Sequence, residues 1–285
     1  MAFGSFGASY VTFGKMFKVI TSGTIPIIWK DVFKNWKAGF AVFFTQNTLF
    51  KTRPFIGFVH ALVAWGFTLY LVVNLVDVLY GFIPNFKFLP DSIIGDIYRL
   101  FVDTFSVLVL VGVLYLLVRR FIIKDDRLLT KDPVMLSDKA QKGMLIDSLL
   151  VGAFIIIHIG SRFLSASFEI AIHGPDRSQP AANFVASFWS NMPMGALHLS
   201  EHITWWLALG LILAFLPYFP FSKHAHLFMG PLNIMAAVDR RSMAAIETID
   251  FENEELEQFG ASNIQHLPQT QLLDGYACIQ CSRCQ

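Results

Sequence analysis

Four of the chain's eight histidines crowd one stretch, His198 and His202 at the start of an apolar run and His224 and His226 just beyond its end. Imidazole ligates transition metals and haem iron, and an ionisable group inside a membrane segment is costly enough to imply a use. A second set lies upstream. Asp147, His158, Arg162, Ser165, Glu169 and His173 are eleven, four, three, four and four residues apart, which stacks them on one helix face. Histidine one turn from arginine suits b haem: the ring ligates iron while the guanidinium takes a propionate in charge-assisted hydrogen bonds. The same stripe would also serve as a polar network holding helices together. His60 stands in an earlier apolar run. His266 falls in a soluble tail with no such setting.

The three cysteines, Cys278, Cys281 and Cys284, all fall in the last eight residues as C-x2-C-x2-C. That spacing opens the bacterial ferredoxin run, whose thiolates hold a [4Fe-4S] cluster and whose fourth cysteine is followed by proline. A zinc knuckle needs a further Cys or His pair, and none follows here. An odd, clustered set points to a metal site on the reducing cytoplasmic side, not to disulfides. A chain that stops one residue past three evenly spaced cysteines reads as incomplete at its C-terminus.

These groups need elements to place them. The chain is 54% hydrophobic with 29 Phe and a mean hydropathy of +0.53. This predicts an all-α, polytopic transmembrane bundle. A net charge of +1 without a basic, aromatic-interleaved patch speaks against a nucleic-acid partner. Four spans of at least about 20 residues are expected, over 54–82, 98–118, 145–172 and 194–218. Segments 81–96 and 173–183 read as loops. Within 27–45, apolar Ile28, Val32, Trp36 and Phe40 at helical spacing, with Lys30, Lys34 and Lys37 turned elsewhere, suit a helix in the membrane interface or one packed on protein. The domains expected are an N-terminal segment 1–53, a haem-bearing membrane domain 54–227, an acidic cytoplasmic linker 228–270, and the start of an iron–sulfur motif over 271–285.

Lys15, Lys18, Lys30, Lys34, Lys37 and Lys51, the 119–142 loop and Lys223 place the positive charge on one side, so both termini are expected in the cytoplasm of an inner-membrane protein. No secretory leader is evident. Counting about 1.5 Å per residue puts His60 about 9 Å from the cytoplasmic side, His158 about 20 Å in, and His202 about 12 Å from the outer face, level with His158. One haem from His158 and His202, with His198 as an alternative, and another from His60 with His224 or His226 is the economical arrangement. Gly57 and Ala64 beside His60 would leave room for a macrocycle. Glu201 with Trp205 and Trp206 would mark the outer interface. Glu169 and His173 are candidates to bind and deprotonate a quinol.

Taken together, 53–67 (RPFIGFVHALVAWGF), the His158/Arg162 span, 220–226 (PFSKHAH) with 231–233 (PLN), and 272–284 (LLDGYACIQCSRC) resemble a heterodisulfide reductase-related family. Its members join a domain like the gamma subunit of respiratory nitrate reductase to a cytoplasmic iron–sulfur region. The resemblance covers about residues 40 to 285. It implies b haem on histidines of the spans, [4Fe-4S] clusters on the cysteines, and, in some members, electron transfer from electron-transfer flavoprotein to menaquinone. Ser282 stands where the family has Gly, the family's N-terminal span is not obvious here, and its later cysteine-rich domain is absent from the sequence.

The function expected is a quinone-linked membrane oxidoreductase that passes electrons between a cytoplasmic donor and menaquinone, in contact with lipid and with room for other membrane subunits. Rival readings are a quinone-linked disulfide or thiol reductase and a haem-free scaffold subunit.

Overall fold

The computed structural model describes residues 1–84, 86, 88–89, 92–128, 136–236, 252 and 260–279. Its regular elements are helices: α1 (Ala2–Thr21), α2 (Trp29–Lys34), α3 (Trp36–Thr45), α4 (Asn47–Thr52), α5 (Pro54–Phe82), α6 (Ile93–Phe121), α7 (Asp138–His173), α8 (Pro180–Ala186), α9 (Met194–Phe215), α10 (His226–Ala236) and α11 (Gln269–Ala277). Among the described residues there is no strand. Four helices, α5, α6, α7 and α9, are long and apolar enough to cross a membrane, as the sequence predicts.

Local chemistry sets their ends. Pro54 opens α5, where a missing N–H costs nothing. Ser92 caps α6 by accepting from Gly95 N at 3.2 Å, so that helix starts inside the expected 81–96 loop. Ser137 does the same for α7 through Ala140 N at 3.3 Å. At its other end α7 stops at Gly174, whose φ of +104° an L side chain rarely adopts. Sequence periodicity gives no sign of α1, and the helix expected over 27–45 is split at Asn35 into α2 and α3.

The chain divides into two compact units, Leu49–Phe215 and Ala2–Thr48 with Leu216–Cys281. In the first, Tyr70 and Val73 of α5, Val109 and Val113 of α6, and Val151, Ile155 and Ile159 of α7 form one buried seam. The helices approach by setting bulk against glycine: a Cβ at Gly66 would lie 2.2 Å from Val109 Cγ2, and one at Gly152 would lie 2.6 Å from Leu117 Cδ2. Without a hydrophobic force between helices in lipid, such close packing carries much of their association.

In the second unit, α10 packs on α2, α3 and α11. Residues 2–48 of the expected N-terminal segment and the described residues 228–236 and 260–270 of the expected linker therefore share one body. The loop after α1 is clasped to the start of α11. Thr24 N donates to Leu267 O at 3.1 Å and Gln269 N to Ile25 O at 3.0 Å, and Gln269 Oε1 accepts from Ile27 N at 3.0 Å. Asn233 Nδ2 of α10 donates to Asp274 Oδ1 of α11 at 2.7 Å, while Leu272 and Leu273 are buried.

The Gly66–Val109 contact makes a test. Gly66→Ala is expected to lower stability by about 1–3 kcal/mol through overpacking, read as thermal unfolding in detergent. Val109→Ala in the same chain should recover most of the loss, and no recovery would mean that this contact does not set the α5–α6 approach.

Candidate functional site

The deepest polar chemistry in the helical bundle of Leu49–Phe215 starts at His158, buried at 5% exposure in α7. Its Nδ1 lies 3.0 Å from the Ala208 carbonyl of α9. A carbonyl only accepts, so Nδ1 carries the hydrogen and Nε2 is left with its lone pair. That Nε2 is buried with no hydrogen-bond partner among the described residues. The ring lies parallel to Phe154, 5.5 Å away at 3°, with Tyr70 edge-on at 5.9 Å. An oriented imidazole with a free inner nitrogen is what an iron ligand needs, the second ring nitrogen being held by a backbone carbonyl.

One turn along α7, Arg162 Nε and Nη2 donate to the two carboxylate oxygens of Asp77 in α5, at 2.7 and 3.2 Å. The guanidinium that the sequence offers to a propionate thus also pairs with a carboxylate of the chain. Asp77 was overlooked, although a lone acid in the 29-residue apolar run of α5 is itself a signal.

Arg162 and Asp77 line a cavity of about 860 Å³ formed by the ends of α5, α6, α7 and α9 and the loop before α8. Ser165, Glu169, Glu201, Trp205, Tyr70 and Tyr98 also face it. Its volume lies in the range of roughly 300–1,000 Å³ typical of small-molecule sites. Ser106 donates to Val102 O at 2.6 Å, so Tyr70, 2.7 Å from Ser106 Oγ, is the donor in that pair. The 175–179 part of its wall leads into α8, which starts within a segment that the sequence reads as loop. Asp103, buried in α6, accepts from Ala181 N at 2.8 Å and Ala182 N at 2.9 Å and so caps that helix from another element. Arg99 ties the α8 loop to α6, bonding Asp176 at 2.9 Å and Asp96 at 2.5 Å.

The polar stripe of α7 is thus divided. Arg162, Ser165 and Glu169 share the cavity, His158 lies deeper on α9, and His173, exposed at the helix end, does not line it. Glu201 joins Glu169 instead. His202 is not brought to His158. It is exposed, six residues from Ala208 and turned about 120° from it, with Trp206 as its ring neighbour at 6.1 Å; His198 is exposed as well. The face of α9 that meets His158 is the Ala208 face, not the one that carries His202. Gly57 is also reassigned, since its Cβ would meet the backbone of Leu49 and Phe50 at 3.0 Å; it serves close packing, not a macrocycle. His60 sits half-buried in the second turn of α5.

In the other unit, His224 is buried in the turn Lys223–Ala225 and His226 opens α10. Burial, reinforced by His226 and Lys223, pulls the His224 pKa down to about 3. Burial likewise lowers His226, whose Nδ1 donates to the Lys223 carbonyl. Both rings are therefore neutral at pH 7, the form that binds metal. α11 packs against this turn and ends at Cys278, which is exposed. Cys281 and Cys284 lie outside the described residues.

Two curated proteins resemble the chain. A probable iron-sulfur-binding oxidoreductase FadF of Bacillus subtilis is 31% identical over 246 residues, 85% of this chain and 32% of that protein. An EtfAB:quinone oxidoreductase of Syntrophomonas wolfei subsp. wolfei is 27% identical over 247 residues, 86% of this chain and 33% of that protein. No family model and no solved structure matches the chain. Both relatives are named oxidoreductases, one iron–sulfur-binding and one linked to quinone; neither name speaks of haem or of the nitrate reductase gamma subunit. The chain spans about a third of the length of these relatives and is related to oxidoreductases over most of its own.

The buried pair predicts its own asymmetry. Asp77→Ala, which strands the guanidinium, is expected to cost about 3–5 kcal/mol, whereas Asp77→Leu with Arg162→Met should cost much less. Thermal unfolding of the two variants in detergent decides, and equal losses would mean that the ion pair is not what holds α5 on α7.

Proposed function

We propose that the chain is the membrane part of a quinone-linked oxidoreductase of the cytoplasmic membrane, passing electrons between a cytoplasmic donor and quinone. The observation that carries this reading is the cavity, which gathers Arg162–Asp77, Tyr98, Glu169 and Glu201 one helix turn beyond His158. Quinone reduction to quinol takes up two electrons and two protons. Its site needs an apolar slot for a flat ring, donors for two carbonyl oxygens, and carboxylates that carry protons. Val76, Val102, Phe163 and Trp205 supply the slot. The Tyr98 hydroxyl and the N–H groups of Arg162 that Asp77 leaves over supply donors. Glu169 and Glu201 carry protons to the reduced ring or take them from quinol.

His158, its Nδ1 held by Ala208, would hold a b haem through Nε2; His224 and His226 would be donors for a second. The haem supplies one-electron transfer when bound. Cys278, Cys281 and Cys284 would hold a [4Fe-4S] cluster with a fourth ligand from outside this sequence, on the cytoplasmic side where α11 meets the His224 turn. The donor that fits is electron-transfer flavoprotein, in line with the name of the Syntrophomonas relative. The likeness to a cytochrome b domain of the nitrate reductase gamma type belongs to this proposal, as do both termini in the cytoplasm.

Two measurements test it. The reduced-minus-oxidised spectrum of purified protein should show a b-type α-band, and His158→Ala should remove one haem per chain; a colourless protein would return the scaffold reading. Glu169→Gln should lower quinone reduction by about 10²-fold at unchanged haem content. An unchanged rate would move the quinone site elsewhere.

A further inference from the structure

The unit containing α2 and α3 presents a face that electron transfer does not use. Trp29, Phe33, Trp36, Phe40 and Phe44 recur every three or four residues, and each is between 49% and 69% exposed. The rings form a continuous row, with Trp36 and Phe40 edge-on at 5.8 Å and Phe40 and Phe44 stacked at 6.2 Å. Exposure here is not for lack of a packing surface, because the other side of the same helices is packed tightly on α10. Val32 is buried, Asn35 Nδ2 reaches the Met235 carbonyl at 3.4 Å, and a Cβ on Gly39 would lie 2.6 Å from Met235 Cγ and 2.9 Å from Pro231 O.

Taken helix by helix at 100° per residue, the aromatic rings are centred about 80° from Val32 in α2 and about 100° from Gly39 in α3, and the lysines lie about 60–100° further round. All three lysines are exposed, and Lys37 Nζ stands 5.9 Å over the Trp36 ring. Asp31, the acid in this stretch, lies on the other border of the seam, half-buried and away from the aromatics. One side of the helix pair is thus committed to protein, a second to apolar contact, and a third to cations. Helices that lie in a bilayer interface have this order, the rings at the acyl boundary and the lysines reaching anionic headgroups. Thr45 is nine residues before Pro54, where a helix long and apolar enough to span a membrane starts, so at most about 30 Å of chain lies between them.

We propose that the Trp29–Phe44 face of α2 and α3 docks on the surface of an anionic lipid bilayer, with Lys30, Lys34 and Lys37 on the headgroup charge. This seats the unit that carries Cys278 and His224 at the membrane. The assignment stands independently of the redox proposal, since it uses none of the same side chains.

The test uses the full chain in nanodiscs made from lipids brominated along the acyl chain, either zwitterionic alone or with an anionic fraction. Subtracting the emission of Trp29→Phe/Trp36→Phe isolates these two indoles. The difference emission should be blue-shifted and quenched by the brominated chains, more strongly with anionic lipid. Lys30→Glu/Lys34→Glu/Lys37→Glu should reduce that quenching several-fold in anionic discs and leave it little changed in zwitterionic ones. Emission that is blue-shifted but unquenched would show that protein, a second copy or a partner, covers the face. Water-like emission in both discs, or quenching that ignores lipid charge and charge reversal alike, would equally overturn the proposal.

Discussion

An arginine inside a membrane span keeps its charge whatever surrounds it, since its pKa is too high for a proton to leave. Arg162 must therefore find a carboxylate or water at its own depth, and it finds Asp77. Much of the bundle's arrangement follows from that requirement. The pair fixes the rotation of α5 against α7 at one level, which places Tyr70 beside Ser106 and turns Ser165 and Glu169 toward a shared space. The pairing sets one guanidinium against one carboxylate in the cavity wall. Asp103 and Arg99 close the wall by the same logic, one capping α8 and the other tying its loop to α6.

His158 shows how a second-neighbour contact decides chemistry. A buried imidazole with both nitrogens satisfied would be helix glue. The Ala208 carbonyl takes the Nδ1 hydrogen and leaves Nε2 as an acceptor among apolar neighbours, an arrangement that costs stability unless something binds there. The unit that joins both ends of the chain uses a different device. Hydrogen bonds from the 24–27 loop and from Asn233 hold α11, so that Cys278 leaves a helix whose position is set from two sides.

The four long apolar helices follow from the amino-acid sequence alone, because a bilayer demands long apolar runs whose backbone groups are satisfied within the helix. The facing of Arg162, Ser165 and Glu169 was equally legible, since residues at these spacings share a face on any α-helix. The lone acids Asp77 and Asp103 carried a readable signal of their own, charge inside an apolar run.

Depth and azimuth between helices were not legible. His158 is fifteen residues from the C-terminal end of α7 and Ala208 fourteen from the start of α9, so each lies about 21–22 Å along its helix from the end by which the two are connected. Counting His158 from one end of its span and His202 from the opposite face made the two level, because helix overshoot and stagger are set by packing and not by span length. The cap that makes α8 a helix comes from Asp103, some eighty residues away in sequence, and the cavity needs four helix ends at once. The sequence determined which segments are long and apolar enough to cross a membrane and which side chains share a helix face, both local properties. Which faces meet was decided only by tertiary packing, where burying an unpaired charge or leaving a gap between helices carries its cost.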